Sequence, residues 1–291
     1  MTRSRFDYHA PESVEEAVEL LEKLGKNTFV MAGGTDILIK QRHGLIQPEA
    51  IVGLKKINNL DRISISPKNG LVIGATTLLA DVAAHTGIKK QYPAIAAAAQ
   101  NTANVQVRNM GTVVGNLCNA SPSADNAPVL LAMGAQLAIT GPGGSRELPL
   151  NEFFKGPGIH ALQPAEIVTS VHIPPPRADS GAAYVHLSAR GKIDCAAVNA
   201  GVMITMNGRK AKNVRIYIGA CAPIPMRAEK AEKVVVDKVF NGKLAEKAGV
   251  TASNEAMPIT DVRASEDYRK HMVAVLTKRA LVGAHKDAKK K

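Results

Sequence analysis

Residues 111–125 read Gly-Thr-Val-Val-Gly-Asn-Leu-Cys-Asn-Ala-Ser-Pro-Ser-Ala-Asp. This short stretch combines small residues, the hydroxyls of Thr112, Ser121 and Ser123, and the closing carboxylate of Asp125. Small residues leave backbone amides uncovered, and several amides and hydroxyls converging on one point suit the oxygens of a polyphosphate. A second such stretch, Ala32-Gly33-Gly34-Thr35-Asp36, lies nearer the N-terminus. Two loops of this kind on one chain point to one long ligand held from both sides. Neither is a Gly-x-Gly-x-x-Gly dinucleotide fingerprint or a Gly-x-x-x-x-Gly-Lys-Ser/Thr phosphate loop. No lysine directly follows either glycine cluster, which argues against nucleoside triphosphate hydrolysis. Asp36 and Asp125 are out of place beside phosphates unless they accept from hydroxyl or ring N–H groups. A ligand with a diphosphate, sugar-alcohol hydroxyls and ring N–H groups would use the whole set. FAD is such a ligand, though the residues alone do not select it over other dinucleotides.

The elements that position these loops are legible in outline. Ser13-Val14-Glu15-Glu16 is a capping box, and Val14, Ala17, Val18, Leu21 and Leu24 follow at helical spacing. Thr28-Phe29-Val30-Met31 reads as a strand running into the first glycine loop, and Ile51-Val52-Gly53-Leu54 as another, so a small α/β unit is expected. Further strands are expected at 71–75, 136–140 and 166–173. Helices are expected at 78–85 behind Thr77 as N-cap, at 94–103 behind Pro93, and at 128–135. Gly141-Pro142-Gly143-Gly144 is a turn, and Pro174-Pro175-Pro176 is the best domain boundary. Strands at 183–189, 196–206 and 213–219, with Asn207-Gly208 as a hairpin turn, predict a three-stranded antiparallel sheet. Helices at about 227–240, 242–249 and 265–284 follow it.

Composition bounds the class. The chain has 291 residues, 45% hydrophobic and 21% charged, enough for two domains. It has no apolar run of membrane-spanning length and no signal-like N-terminal core, so no membrane span and cytoplasmic residence are expected. Cys118, Cys195 and Cys221 are widely spaced, and eight histidines lack ligand spacing, so neither a disulfide framework nor a protein-bound metal is expected. The net charge of +12 raises nucleic-acid binding. Eight Lys/Arg against one Asp lie within residues 269–291, aromatics are 3% and Trp is absent. A solvated basic tail fits better than a base-stacking platform, and no nucleic-acid partner is expected.

At the glycine loops the chain resembles the FAD-binding medium subunits of molybdenum hydroxylases, the xanthine, aldehyde and carbon monoxide dehydrogenase family. The resemblance spans essentially the whole chain. Phe6-Asp7-Tyr8-His9-Ala10-Pro11 resembles the family's opening, and Val30-Met31-Ala32-Gly33-Gly34-Thr35-Asp36 its first flavin motif. Thr112-Val113-Val114-Gly115-Asn116 with Ala120-Ser121-Pro122-Ser123-Ala124-Asp125 resembles the second. Pro164-Ala165-Glu166-Ile167-Val168, residues 190–194 and Tyr268-Arg269-Lys270-His271 match later landmarks.

The resemblance implies an α+β fold: a two-part FAD-binding domain of the vanillyl-alcohol-oxidase/PCMH type over 1–176, with subdomains of about 1–57 and 58–176. It is followed over 177–291 by a C-terminal α+β domain of the CO dehydrogenase flavoprotein type. It also implies that residues 32–36 wrap the diphosphate, Thr35 adding its hydroxyl. Thr112, Gly115 and Asn116 would hold the far side of the phosphates and the ribityl chain. Asp125 would meet adenosine ribose hydroxyls or neighbouring polar groups, and Val168 would pack near the flavin ring. His186, or alternatively Lys192, would stand at the ring's pyrimidine edge. Val30, Met31, Thr102 and Ser121 complete the implied set, and no side chain is implied as an acid or base catalyst. A large molybdopterin subunit and a small subunit with [2Fe–2S] clusters would be partners, in a dimer of heterotrimers. Electrons would leave through FAD to NAD⁺ or another acceptor. The rival readings are a stand-alone FAD oxidoreductase and a flavin-free basic scaffold or nucleic-acid-binding protein.

The sequence departs from the family pattern at Val114, where relatives often carry glycine, and at Cys195, where they often carry Ile or Tyr. A buried, inert thiol is expected at Cys195, with proximity to the flavin as the alternative. The four-cysteine insertion of one branch is missing.

Overall fold

A computed structural model describes residues 5–191 and 195–290. The N-terminal part is a three-stranded parallel sheet of β1 (Asp7–His9), β2 (Thr28–Met31) and β3 (Ala50–Gly53), with β3 in the centre. Helix α1 (Val14–Leu24) starts as its capping box dictates: Ser13 Oγ accepts from the Glu16 amide at 3.0 Å, and the Glu16 carboxylate from the Glu12 amide at 2.8 Å. It buries Ala17, Val18 and Leu21, and Gly25 ends it at φ 77°. Residues 32–36 lead from β2 into the short helix α2 (Ile37–Arg42).

A five-stranded antiparallel sheet follows, built from β4 (Ile63–Ser66), β5 (Gly70–Gly74), β6 (Gln136–Gly141), β7 (Gly144–Pro149) and β10 (Ile167–Ile173), in the order β4-β5-β10-β6-β7. The hairpin β8 (Phe154–Gly156) and β9 (Ile159–His160) lies between β7 and β10 in the chain. Between β5 and β6 run α3 (Leu79–Ala84), α4 (Thr86–Gln91), α5 (Pro93–Asn101), α6 (Val105–Arg108), α7 (Val113–Cys118) and α8 (Asn126–Ala132).

One local expectation changes here. Thr77 does not cap α3. Leu78 is the N-cap residue, and the Leu79 amide donates to the Gly111 carbonyl at 2.9 Å, so a backbone oxygen from the second glycine segment does the capping. The expected helix ends at His85, whose ring accepts from the Ile88 amide at 3.2 Å and starts a further short helix, α4.

The C-terminal part is an antiparallel sheet of β11 (Ser180–Leu187), β12 (Val198–Asn207), β13 (Lys210–Gly219) and β14 (Met226–Arg227), in that order. Its three long strands were expected; β14, two residues long, adds a fourth too short to leave a periodic trace. Asn207 and Lys210 pair across the β12–β13 turn, with Gly208 at φ 56°. Helices α9 (Glu229–Val235), α10 (Gly242–Glu255) and α11 (Glu266–Ala288) complete it, with α11 packed on β11 and β12. Buried Arg269 ties α11 down, donating to the carbonyls of Ala197 at 3.1 Å and Ala220 at 2.8 Å and to Asp261 at 2.5 Å.

The other face of this sheet meets α8 and α5. Gly201 makes that approach possible, because a Cβ there would stand 2.4 Å from the Pro128 carbonyl carbon and the Val129 nitrogen. No described helix is long and apolar enough to cross a membrane.

Candidate cofactor-binding site

A cleft of about 700 Å³ opens between the two glycine segments, in the upper part of the range for small-molecule sites. Val30, Met31, Ala32, Gly33, Gly34, Thr35 and Asp36 line one side. Thr112, Gly115, Asn116, Ser121 and Asp125 line another, and Thr102 and Val168 complete the expected set found there. Of the two residues expected at a ring edge, His186 is not among those lining the cleft, and Lys192 lies outside the described residues.

The two segments touch. A Cβ on Gly33 would fall 2.1 Å from the Met110 carbonyl oxygen and 2.8 Å from the Gly111 Cα, so glycine is required where the loops meet. Gly34 has φ 76°, which favours glycine independently. Within 111–125 the expected open loop contains helix α7. Thr112 is its N-cap, its Oγ accepting from the Gly115 amide at 2.9 Å. The Gly115 amide is therefore already used. A Cβ on Gly115 would meet the Thr112 Oγ at 2.9 Å and nothing else within 4 Å, so this glycine keeps a patch of cleft wall bare. Val114 needs no special backbone: it sits inside α7, 4% exposed, and is not among the described residues with positive φ. Ala103 and Ala165, both lining the cleft, do take φ 47° and 60°. Left-handed alanines carry strain that tends to gather at binding sites.

Several lining residues escaped the sequence reading. Lys40, four residues after Asp36 on α2, donates to Asn119 Oδ1 at 2.6 Å, and Asn119 Nδ2 donates to Asp36 Oδ1 at 3.0 Å. The i,i+4 spacing of Asp36 and Lys40 was the available signal. Burial raises the Asp36 pKa, and Lys40 opposes the shift. His160 stacks on Phe153 with ring centroids 5.5 Å apart; burial, then the Lys40 charge, lowers its pKa. Its Nδ1 is buried without a partner beside the cleft.

Cys118 lines the cleft, but burial pushes its thiol up to about 12, leaving it unreactive at neutral pH. The expectation of a buried thiol at Cys195 is corrected: it is exposed and lines the cleft, because it stands in the connection ahead of β12 rather than in the sheet. Among the described residues no group of three His, Cys, Asp or Glu is placed to hold a metal.

Glu166, at the cleft edge, takes a two-pronged bond from Arg146 at 2.7 and 2.8 Å and one from the Gln163 amide at 2.7 Å. The Arg146 bond foremost, then the Gln163 amide, lowers its pKa. A depressed folded pKa gives stability that is present above the unfolded value and lost as pH falls through the folded one. With Arg146 partly in solvent, Glu166→Gln is expected to cost about 1 kcal/mol at neutral pH. The difference should shrink at a second, acidic pH below the ordinary glutamate range, as Glu166 takes up its proton. Thermal denaturation of both proteins at the two pH values checks this.

Asp125 Oδ1 accepts from the Tyr184 hydroxyl at 2.6 Å, from His186 Nδ1 at 2.8 Å and from Asn199 Nδ2 at 3.3 Å. Burial, followed by the Asp125 charge, keeps the Tyr184 hydroxyl protonated well above the ordinary tyrosine range. His186 is thus drawn to Asp125 behind the cleft wall.

A wall of glycine, threonine and serine can approach phosphates, and Leu54, Leu79, Leu162, Ile167 and Val168 offer an apolar surface to a ring. These features fit a flavin dinucleotide.

Comparison with known proteins agrees. Residues 4–176 match the family described as the FAD binding domain in molybdopterin dehydrogenase, and residues 183–284 match the CO dehydrogenase flavoprotein C-terminal domain. The chain belongs to this family of FAD-binding molybdenum hydroxylase subunits. It is 33% identical over 290 residues to the carbon monoxide dehydrogenase medium chain of Afipia carboxidovorans, covering 99% of this chain and 100% of that one. The xanthine dehydrogenase FAD-binding subunit of Escherichia coli is 30% identical over 275 residues, 94% of each chain. A solved carbon monoxide dehydrogenase from Hydrogenophaga pseudoflava, lacking the Mo-pyranopterin moiety of its cofactor, superposes with TM-score 0.93 at 33% identity, over 98% of each chain.

Proposed function

We propose that this chain is the flavin relay of a multi-subunit molybdenum hydroxylase working in the cytoplasm. It would take electrons from [2Fe–2S] clusters of a small partner subunit and deliver them to NAD⁺ or another acceptor. A large molybdopterin subunit would hydroxylate the substrate, in a dimer of heterotrimers. The observation that carries this reading is the cleft walled by both glycine segments. Bound FAD supplies the redox chemistry; the protein supplies binding, orientation and electrostatics.

Residues 32–36 bring backbone close to the diphosphate, with the Thr35 hydroxyl as a further donor. Gly115 keeps the opposite wall clear, Asn116 and Ser121 offer polar groups to the ribityl chain, and Val168 presents an apolar contact to the ring. Lys40, held near Asp36 through Asn119, contributes positive charge near the phosphates. The exposed Cys195 presents a small side chain to the cleft.

Val114, where the sequence departs from the family pattern, has ordinary helical backbone in α7, so it lends no support to the flavin-free rival. Expression together with the adjacent reading frames, followed by subunit identification and metal analysis, tests the relay. A complex with a large and a small subunit, molybdenum, iron and flavin is expected. A chain that purifies alone, yellow but free of iron and molybdenum, would overturn the relay in favour of the stand-alone oxidoreductase.

A further inference from the structure

Resting on the flavin reading above, we infer that Tyr184, His186 and Asn199 are positioning residues through which the C-terminal sheet fixes the Asp125 carboxylate for a hydroxyl of FAD.

Three donors converge on one oxygen. Tyr184 and His186 stand two apart on β11 and so share a face, and His186 pairs directly with Asn199 on β12. That face meets α8, whose N-cap residue is Asp125. The carboxylate makes no cap bond to its own helix, so local structure does not orient it. Tyr184 at 2.6 Å, His186 at 2.8 Å and Asn199 at 3.3 Å all use Oδ1. A carboxylate only accepts, so the His186 proton sits on Nδ1, and its buried Nε2 has no partner. Oδ2 accepts from none of the described residues, and it is not among the sealed unpartnered atoms, while Asp125 lines the cleft.

The arrangement immobilises one oxygen and leaves its twin toward the ligand. The side chains of Asp125 and His186 are 6% and 9% exposed, so their bonds compete little with water. A carboxylate held this way loses little freedom on accepting a ligand hydroxyl, and pre-organisation of that kind slows dissociation. The cluster also makes the flavin cleft depend on both parts of the chain, although the donors themselves stand behind its wall.

The test follows release of FAD from the full-length protein, read as the rise in free flavin fluorescence after dilution. Tyr184→Phe and His186→Leu should each speed release roughly tenfold, the usual scale for losing a hydrogen bond to a charged group. His186→Asn, which can place a donor near the position of Nδ1, should restore release to within about threefold of the parent. In the Asp125→Asn background Tyr184→Phe should have little further effect, because it acts through that carboxylate. A general loss of packing would instead add to the Asp125→Asn effect. If the parent protein carries no FAD, the flavin reading itself falls. If it carries FAD but the variants release it at the parent rate, or the two substitutions simply add, the positioning role falls and the flavin reading stands.

Discussion

Gly115→Val is expected to give a folded chain that purifies without flavin, whereas Gly33→Val is expected to lose both flavin and stability. The difference lies in what each new side chain meets. At Gly115 a Cβ encounters only the Thr112 Oγ, at 2.9 Å, and the remaining bulk projects into the cleft. The structural cost is confined to the α7 cap, about 1 kcal/mol, while the ligand's place is filled. At Gly33 the Cβ would lie 2.1 Å from the Met110 carbonyl oxygen, and backbone cannot move aside without parting the two segments. Overpacking of this kind costs on the order of 1–3 kcal/mol. Flavin content and thermal midpoint, measured on both variants, separate the two effects. Stoichiometric flavin in Gly115→Val would show that α7 does not wall the site.

The second large effect is expected at Gly201, on β12 of the C-terminal sheet. Its Cβ would stand 2.4 Å from the Pro128 carbonyl carbon and 2.5 Å from the Pro128 oxygen, between a central strand and a buried helix. Neither can yield cheaply, so Gly201→Val should destabilise the chain by about 3 kcal/mol. Because α8 carries Asp125 at its start, parting β12 from α8 also draws Tyr184, His186 and Asn199 away from that carboxylate, and flavin retention should fall as well. Gly208→Asn is the control: no atom lies within 4 Å of its Cβ position, and asparagine tolerates a φ of 56° in a hairpin turn. Urea denaturation should show a lowered midpoint for the first variant and an unchanged one for the second. An unaltered midpoint in Gly201→Val would contradict the close packing of the C-terminal sheet on α8.

Where local chemistry decides the structure, the sequence was readable. The Ser13–Glu16 box sets the start of α1, and Asn207-Gly208 sets the β12–β13 turn. Buried Val273, Leu276, Thr277, Ala280, Leu281, Ala284 and Ala288 recur at helical spacing along α11. The cleft-lining residues of the two glycine segments were readable too, because small residues and hydroxyls at close spacing have few other uses.

What stayed hidden depends on distant partners. Helix α7 is only six residues long, and its cap, Thr112, reads equally well as a ligand hydroxyl, so the segment looked like an open loop. Leu78 looked like the first residue of a helix capped by Thr77, but the capping oxygen belongs to Gly111, more than thirty residues away. The resemblance aligns His186, or alternatively Lys192, with a position at the flavin edge without orienting either side chain. Only the β11–β12 register and the approach of α8 show that His186 faces Asp125. Lys40 and His160 reach the cleft from separate elements, and no motif joins them.

FAD is expected to bind in this chain itself, between the two glycine segments. Flavin released by denaturing the purified full-length protein, identified chromatographically and quantified against protein, tests it most directly. The expected result is about one FAD per chain, falling to near zero in Gly115→Val while the variant stays folded. A colourless parent protein, or flavin retained undiminished in that variant, would contradict it.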